Sequence, residues 1–219
     1  GAVLTKAQLE SLVYEAPQTA GAYSASFDVS DGTSIVPLNL TLNVTAAVNG
    51  TLNGTLDGDY LDGAAGDDTV SGVAGGDTKF GGTGIDTLDY SGSNAGVAVR
   101  LWNLTTGGGH AESDVIEGFE NVIGSAFNDT LNGDNHVNIL TGGAGADFIF
   151  AVGENDRAFG EAGNDTLYGG AGDDTLDGGA NNDIIYGGTG ADSMIGGAGI
   201  DTLHYGTDTA GVAVRLWNG

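Results

Sequence analysis

The chain has 219 residues, 42 of them glycine, no cysteine, and 30 acidic against 5 basic side chains, for a formal net charge of −25. No disulfide framework or thiol chemistry is available, and Lys6, Lys79, Arg100, Arg157 and Arg215 are too scattered to form a basic patch for nucleic acid or an anionic membrane surface. No apolar run approaches the roughly 18 residues of a membrane-inserting helix, and no secretory signal peptide opens the chain.

Residues 1–44 read as a partial β segment or as a cap. Leu4 to Glu15 suggests a helical turn leading into a strand at Leu12-Val13-Tyr14. Tyr23, Ala25, Phe27 and Val29 alternate with smaller or polar residues, Asp31-Gly32-Thr33 turns, and Leu38, Leu40, Leu42 and Val44 alternate again. That pattern predicts an antiparallel hairpin with one buried face. These elements are too few for a sandwich, which takes about seven strands. They resemble the closing strands of bacterial cadherin-like or immunoglobulin-like repeats. The alternative is a cap over the open edge of whatever repeat follows.

From Thr45 a nine-residue period takes over. A half unit, Asn49-Gly50-Thr51-Leu52-Asn53, precedes units that begin at Gly54, Gly63, Gly72 and Gly81, a first array over residues 45–89. A second array over residues 124–204 has units from Gly124, Gly133, Gly142, Ala151, Gly160, Gly169, Gly178, Gly187 and Gly196. The pattern is G-G-x-G-x-D-x-U-x, with U a large apolar residue. Position six is Asp in twelve of the thirteen units, Asn138 being the exception, and position eight is large and apolar in eleven, the exceptions being Lys79 and Ala158. Glycines permit a tight turn and close approach of backbone carbonyls, and the last three residues form a short strand whose central side chain points inward. This predicts an all-β parallel solenoid. Leu131, Leu140, Ile149, Leu167, Leu176, Ile185, Met194 and Leu203 are expected to stack inside it, whereas a buried Lys79 should fray or bulge the coil. Seventh- and ninth-position side chains should face out.

Residues 90–123 interrupt the period. Val97 to Trp102 alternates as a strand, Gly107-Gly108-Gly109-His110 turns, and Val115-Ile116 and Phe119 to Ile123 look like further solenoid strands. Arg100 beside Trp102 suggests either a carbohydrate-stacking patch or, as the favoured reading, a hairpin in which Trp102 seals the end of the first roll. Ala95 to Asn103 returns letter for letter as Ala210 to Asn218. Residues 205–219 therefore read as the start of a second interrupting segment, and both ends are expected to be cut from a longer tandem array.

Carboxylates recurring at one slot, with backbone carbonyls nearby, form a hard-oxygen donor set that suits Ca²⁺ better than a transition metal. The array resembles the RTX (repeats-in-toxin, haemolysin-type calcium-binding) family over about residues 45–219. The resemblance implies a right-handed parallel β-roll with two nonapeptides per turn. Each Ca²⁺ would then lie between stacked loops, held by position-six carboxylates and loop carbonyls from units i and i+2. Carried over to this chain, it pairs Asp59 with Asp77 and Asp68 with Asp86 in the first array. In the second, Asp129, Asp147, Asp165, Asp183 and Asp201 follow one edge, and Asn138, Asp156, Asp174 and Asp192 the other. The carbonyls of loop residues such as Gly142, Gly145, Gly160, Gly163, Gly169, Gly172, Gly178, Gly187, Gly190, Gly196 and Gly199 would complete the sites. Up to about nine ions are possible, bringing 18 positive charges against the −25 of the chain. Sites near Asn138, and near Phe127, His136 and Glu154, which replace the fourth-position glycine, should be weak.

His110, His136 and His204 lack zinc-ligand spacing, and no His-Glu-x-x-His run, Gly-x-Ser-x-Gly elbow or nucleotide-binding loop is present. The expectation is therefore a non-enzymatic module. It is a structural or adhesive, calcium-folded part of a large secreted bacterial protein, which by resemblance is exported by type I secretion to the cell surface or beyond. The alternatives are an accessory, polysaccharide-binding module of a secreted enzyme, or copies of the chain assembling into a filament or surface layer.

Overall fold

Two constraints recur every nine residues, and each builds one part of a coil. The apolar eighth position draws the end of each unit inward as a strand, and the glycines reverse the chain so that the next strand lies on the opposite face. Strands of one face are then 18 residues apart and pair in parallel. The computed structural model, which describes residues 21–30, 35–44 and 49–205, is a flattened parallel β-solenoid with two long faces.

One face is a single eight-stranded sheet. It runs through Thr51–Asn53, Thr69–Ser71, Thr87–Asp89, Asn121–Ile123, Ile139–Ala144, Arg157–Ala162, Thr175–Ala180 and Ser193–Ala198. Asn121–Ile123, from the interrupting segment, pairs with Thr87–Asp89 on one side and with Ile139–Thr141 on the other. This sheet therefore crosses the interruption without a break.

The other face is divided. Tyr60–Asp62, Thr78–Phe80 and Val115–Glu117 form its first part, and Ala98–Arg100, Thr130–Asn132, Phe148–Gly153, Thr166–Ala171, Ile184–Thr189 and Thr202–His204 form its second. Between the parts the chain folds Ala98–Arg100 against Thr105–Gly107 as an antiparallel hairpin. At the N-terminal end Gly21–Ser30 and Ile35–Val44 pair antiparallel, as the alternation predicts, with Tyr23 opposite Leu42 and Phe27 opposite Leu38. Leu42–Val44 then joins Tyr60–Asp62 in parallel, so the hairpin extends the first part of this face. The expected elements over residues 4–15, the turn at 31–33 and nearly all of residues 205–219 lie outside the described residues.

Eighth-position side chains stack in two thin ladders, as expected. Leu52, Val70, Leu88, Val122, Leu140, Ala158, Leu176 and Met194 line one face, and Leu131, Ile149, Leu167 and Ile185 the other, all buried. Leu203 packs against their end.

Four expectations need correction. In most of the second array the strands are six residues long, such as Ile139–Ala144, because the first three positions of the following unit also join the ladder, with Gly143 opposite Glu161 and Ala144 opposite Ala162. Lys79 neither frays nor bulges the coil, since Thr78–Phe80 keeps register with both neighbours while Lys79 is completely buried. Trp102 seals nothing, being 59% exposed on a 3₁₀ turn beyond the hairpin strand. The outward ninth-position side chains also do more than face solvent. Tyr168, Tyr186 and His204 stack in parallel, with ring centroids 4.4 and 4.2 Å apart.

Candidate metal centre

The edge of the coil repeats one bond. Beyond the first acid of each array, the position-six carboxylates accept, through Oδ1, the backbone N–H of the corresponding residue one turn earlier. Asp77 accepts from Asp59 at 3.0 Å and Asp86 from Asp68 at 2.7 Å. Along one edge of the second array the chain of bonds runs Asp129, Asp147, Asp165, Asp183, Asp201, at 2.8 to 3.0 Å. Along the other it runs Asn138, Asp156, Asp174, Asp192, also at 2.8 to 3.0 Å. The pairs that the RTX resemblance implies are thus brought into adjacent turns.

The second carboxylate oxygen is the informative one. Oδ2 of Asp68, Asp86, Asp147, Asp156, Asp165, Asp174 and Asp183 is buried and has no hydrogen-bond donor. A buried ionised oxygen without a partner is costly. Asp59 and Asp129, the first acids of the two arrays, are satisfied differently. Thr55 and Ser125, at position two of those units, donate backbone and hydroxyl hydrogens to them. Elsewhere position two is mostly glycine or alanine, and no hydroxyl serves.

Except at Asp156, whose unit begins with Ala151, the space beside each orphaned oxygen is shaped by the first-position glycine. A Cβ added to Gly160 would collide with both Asp165 Oδ2 and the Gly178 carbonyl oxygen. Gly169 stands in the same relation to Asp174 Oδ2 and the Gly187 carbonyl, and Gly178 to Asp183 Oδ2 and the Gly196 carbonyl. Carboxylate and carbonyl oxygens from successive turns therefore converge on one small cradle. Among the described residues no three His, Cys, Asp or Glu side chains form a metal-binding group. A bound ion would draw its remaining ligands from backbone carbonyls, as hard cations do.

Stacking these acids raises their affinity for protons. Burial above all, with neighbouring carboxylates adding to it against the backbone N–H bonds, pushes Asp147 and Asp156 up to about 7 and Asp165 and Asp174 to about 6. Asp68, Asp77, Asp86, Asp129 and Asp183 are raised by burial as well. Such a ladder calls for positive charge.

The RTX calcium-binding nonapeptide repeat matches in four copies, at residues 48–78, 113–149, 150–185 and 172–203, more than half of the chain. The chain belongs to the RTX calcium-binding repeat family. Comparison with curated proteins finds none that matches. As an RTX β-roll the molecule is a structural, calcium-binding fold taking several Ca²⁺ ions, and the orphaned oxygens and cradles fit them.

Two members of the RTX ladder escape a count by nines. Asp77 N–H donates to Asp114 Oδ1 at 2.8 Å, and Asp86 N–H donates to Glu120 Oε2 at 2.8 Å. Both acids belong to the interrupting segment, where the spacing is 37 and 34 residues instead of 18. Asn138 uses its amide instead of a charge, donating through Nδ2 to the Glu120 carbonyl at 2.8 Å. A second ladder also went unnoticed in the sequence. Fifth-position Asn128, Asn155, Asn164, Asp173 and Asn182 each accept, through Oδ1, the backbone N–H of the fifth position one turn later. Recurrent Asn and Asp at position five was the available signal.

Proposed function

We propose that this RTX roll is a calcium-folded structural or adhesive module of a large secreted protein, and that its position-six aspartates hold the ions. Asp59, Asp68, Asp77, Asp86, Asp129, Asp147, Asp156, Asp165, Asp174, Asp183, Asp192 and Asp201 supply the charge. Carbonyls of loop glycines such as Gly160, Gly169 and Gly178 complete the oxygen cages. The observation that carries this reading is the series of buried Oδ2 atoms without donors, all but that of Asp156 beside a cradle that a Cβ would fill. Calcium supplies electrostatic closure: it joins adjacent turns through oxygens that otherwise repel. At cytosolic calcium levels the acidic, glycine-rich chain stays unfolded and fit for export, by type I secretion as in the family. At extracellular levels, where modules of this kind bind with Kd of about 10⁻⁴–10⁻³ M, it loads and folds.

Calorimetric titration followed by circular dichroism tests this. The expected result is cooperative gain of β signal with several ions bound, and fewer ions in Asp165→Asn. A chain equally β-rich in chelator would overturn the reading.

A second reading, polysaccharide binding, draws support from the exposure of Trp102 beside Arg100. Glycan binding abolished in Trp102→Ala would favour it.

A further inference from the structure

Lys79 stands in an eighth-position slot that holds an apolar side chain in nearly every other unit. Its stem runs through the core and its ammonium ends at the ladder. Nζ lies 3.4 Å from Asp77 Oδ2 and in direct hydrogen-bond contact with Asp114 Oδ2. Asp77 Oδ2 lacks a hydrogen-bond donor like its counterparts in other turns, but here a cation stands beside it. Tyr90 closes the remaining side. Its ring centroid is 4.6 Å from Nζ, and its hydroxyl donates to Asp114 Oδ2 at 2.7 Å. Burial and the adjacent Asp114 push that hydroxyl far up, so it remains a donor. Gly72 leaves room for this arrangement, since a Cβ there would collide with Lys79 Nζ and Cε. Elsewhere the corresponding glycine faces a carboxylate oxygen and a carbonyl oxygen, as at Gly160.

We propose that Lys79 is a tethered cation that takes the place of a calcium ion between the Asp77 and Asp114 turns, so that this turn closes without metal. The proposal rests on the calcium assignment above. An ammonium donates three hydrogen bonds and no more. Here one goes to Asp114 Oδ2 and a long one, at 3.4 Å, to the Tyr90 hydroxyl, while Asp77 Oδ2 is held as an ion pair. A divalent ion in the same space would face a positive charge in a low-dielectric interior, where repulsion at such distances is severe. The position is also apt. On this face the sheet ends at Val115–Glu117, and the turn is the last before the hairpin departs. A cation that cannot dissociate holds the register of the junction whatever the calcium level.

Counting bound Ca²⁺ by native mass spectrometry, on the full chain in saturating calcium, tests the proposal. Lys79→Met keeps the stem and removes the charge, so it should bind one ion more than wild type. Asp114→Asn should melt earlier, having weakened the lysine's pairing, yet lose no ion. An unchanged count in Lys79→Met, or an ion lost in Asp114→Asn, overturns the proposal. Should Lys79→Met fail to fold, the Asp114→Asn count decides alone. Asp165→Asn, run alongside, should lose calcium. If it keeps the full count, or if wild type binds none, the aspartate assignment fails and not the lysine proposal alone.

Discussion

Val152 has φ +93° and Glu161 φ +72°, both at position two of their units, where Gly143, Gly170, Gly179, Gly188 and Gly197 take the same left-handed region. A β-branched residue there is an outlier that the surrounding ladder must impose. Val152→Gly should therefore stabilise the calcium-loaded roll, by about 1 kcal/mol, read as a higher midpoint of thermal unfolding in saturating calcium. Position four gives the reverse case. Gly163 has φ +145°, and a Cβ there would overlap the Gly145 carbonyl oxygen one turn earlier. Gly163→Ala combines strain with a steric clash and should cost at least about 1–3 kcal/mol in the same measurement. If Val152→Gly lowers the midpoint, the valine side chain contributes more than its backbone loses. The glycine requirement at positions two and four was legible in the sequence, because it repeats. The tolerance of Val152 and Glu161 was not, since it depends on turns above and below them.

Each unit contributes a strand held by apolar burial and a loop that carries charge, and only the loop depends on pH. Asp147 and Asp156 at about 7, and Asp165 and Asp174 at about 6, lie well above an ordinary aspartate because burial disfavours their charged form. The metal-free folded roll thus binds more protons than the unfolded chain between about pH 4 and 7. Their contribution to stability is complete below the unfolded value and is lost as pH rises through 6 to 7. In chelator, lowering the pH from 8 to 5 should increase β signal in circular dichroism. Loss of that signal on acidification would mean that the aspartates are better solvated than the fold implies. In calcium, protons compete for the same oxygens, and affinity should fall below about pH 6. The ladders behind this behaviour were readable from a strict period of nine together with the two units per turn that the RTX resemblance implies, which place Asp165 and Asp183 on one edge and Asp174 and Asp192 on the other. The period fails where residues are inserted. Asp114 and Glu120 enter the ladder at other spacings, and the burial of Lys79 depends on Tyr90 and Asp114 arriving from that same insertion.

A net charge of −25 over the chain makes the molecule depend on counter-charge. Monovalent salt can screen the exposed acids, but screening reaches buried pairs poorly. In chelator at neutral pH, about 1 M NaCl should therefore restore only a minor part of the β signal that calcium restores. The continuity of the long face then governs how folding spreads. In a solenoid each turn touches only its neighbours, so cooperativity passes from turn to turn through shared strands. Of the two faces, the one through Thr87–Asp89, Asn121–Ile123 and Ile139–Ala144 carries unbroken pairing past the interruption, with Leu88, Val122 and Leu140 in register inside it. That column is the main link between the early and late turns. The calcium-loaded chain should accordingly unfold in one calorimetric transition. Val122→Ala, which thins the column at the junction, should split it into two, with the larger and more stable component from residues 124–205. The early turns are shorter in strand and fewer in orphaned carboxylates, so they should melt first. Two transitions already present in the wild type would mean that the shared strand couples the turns too weakly to act as a link.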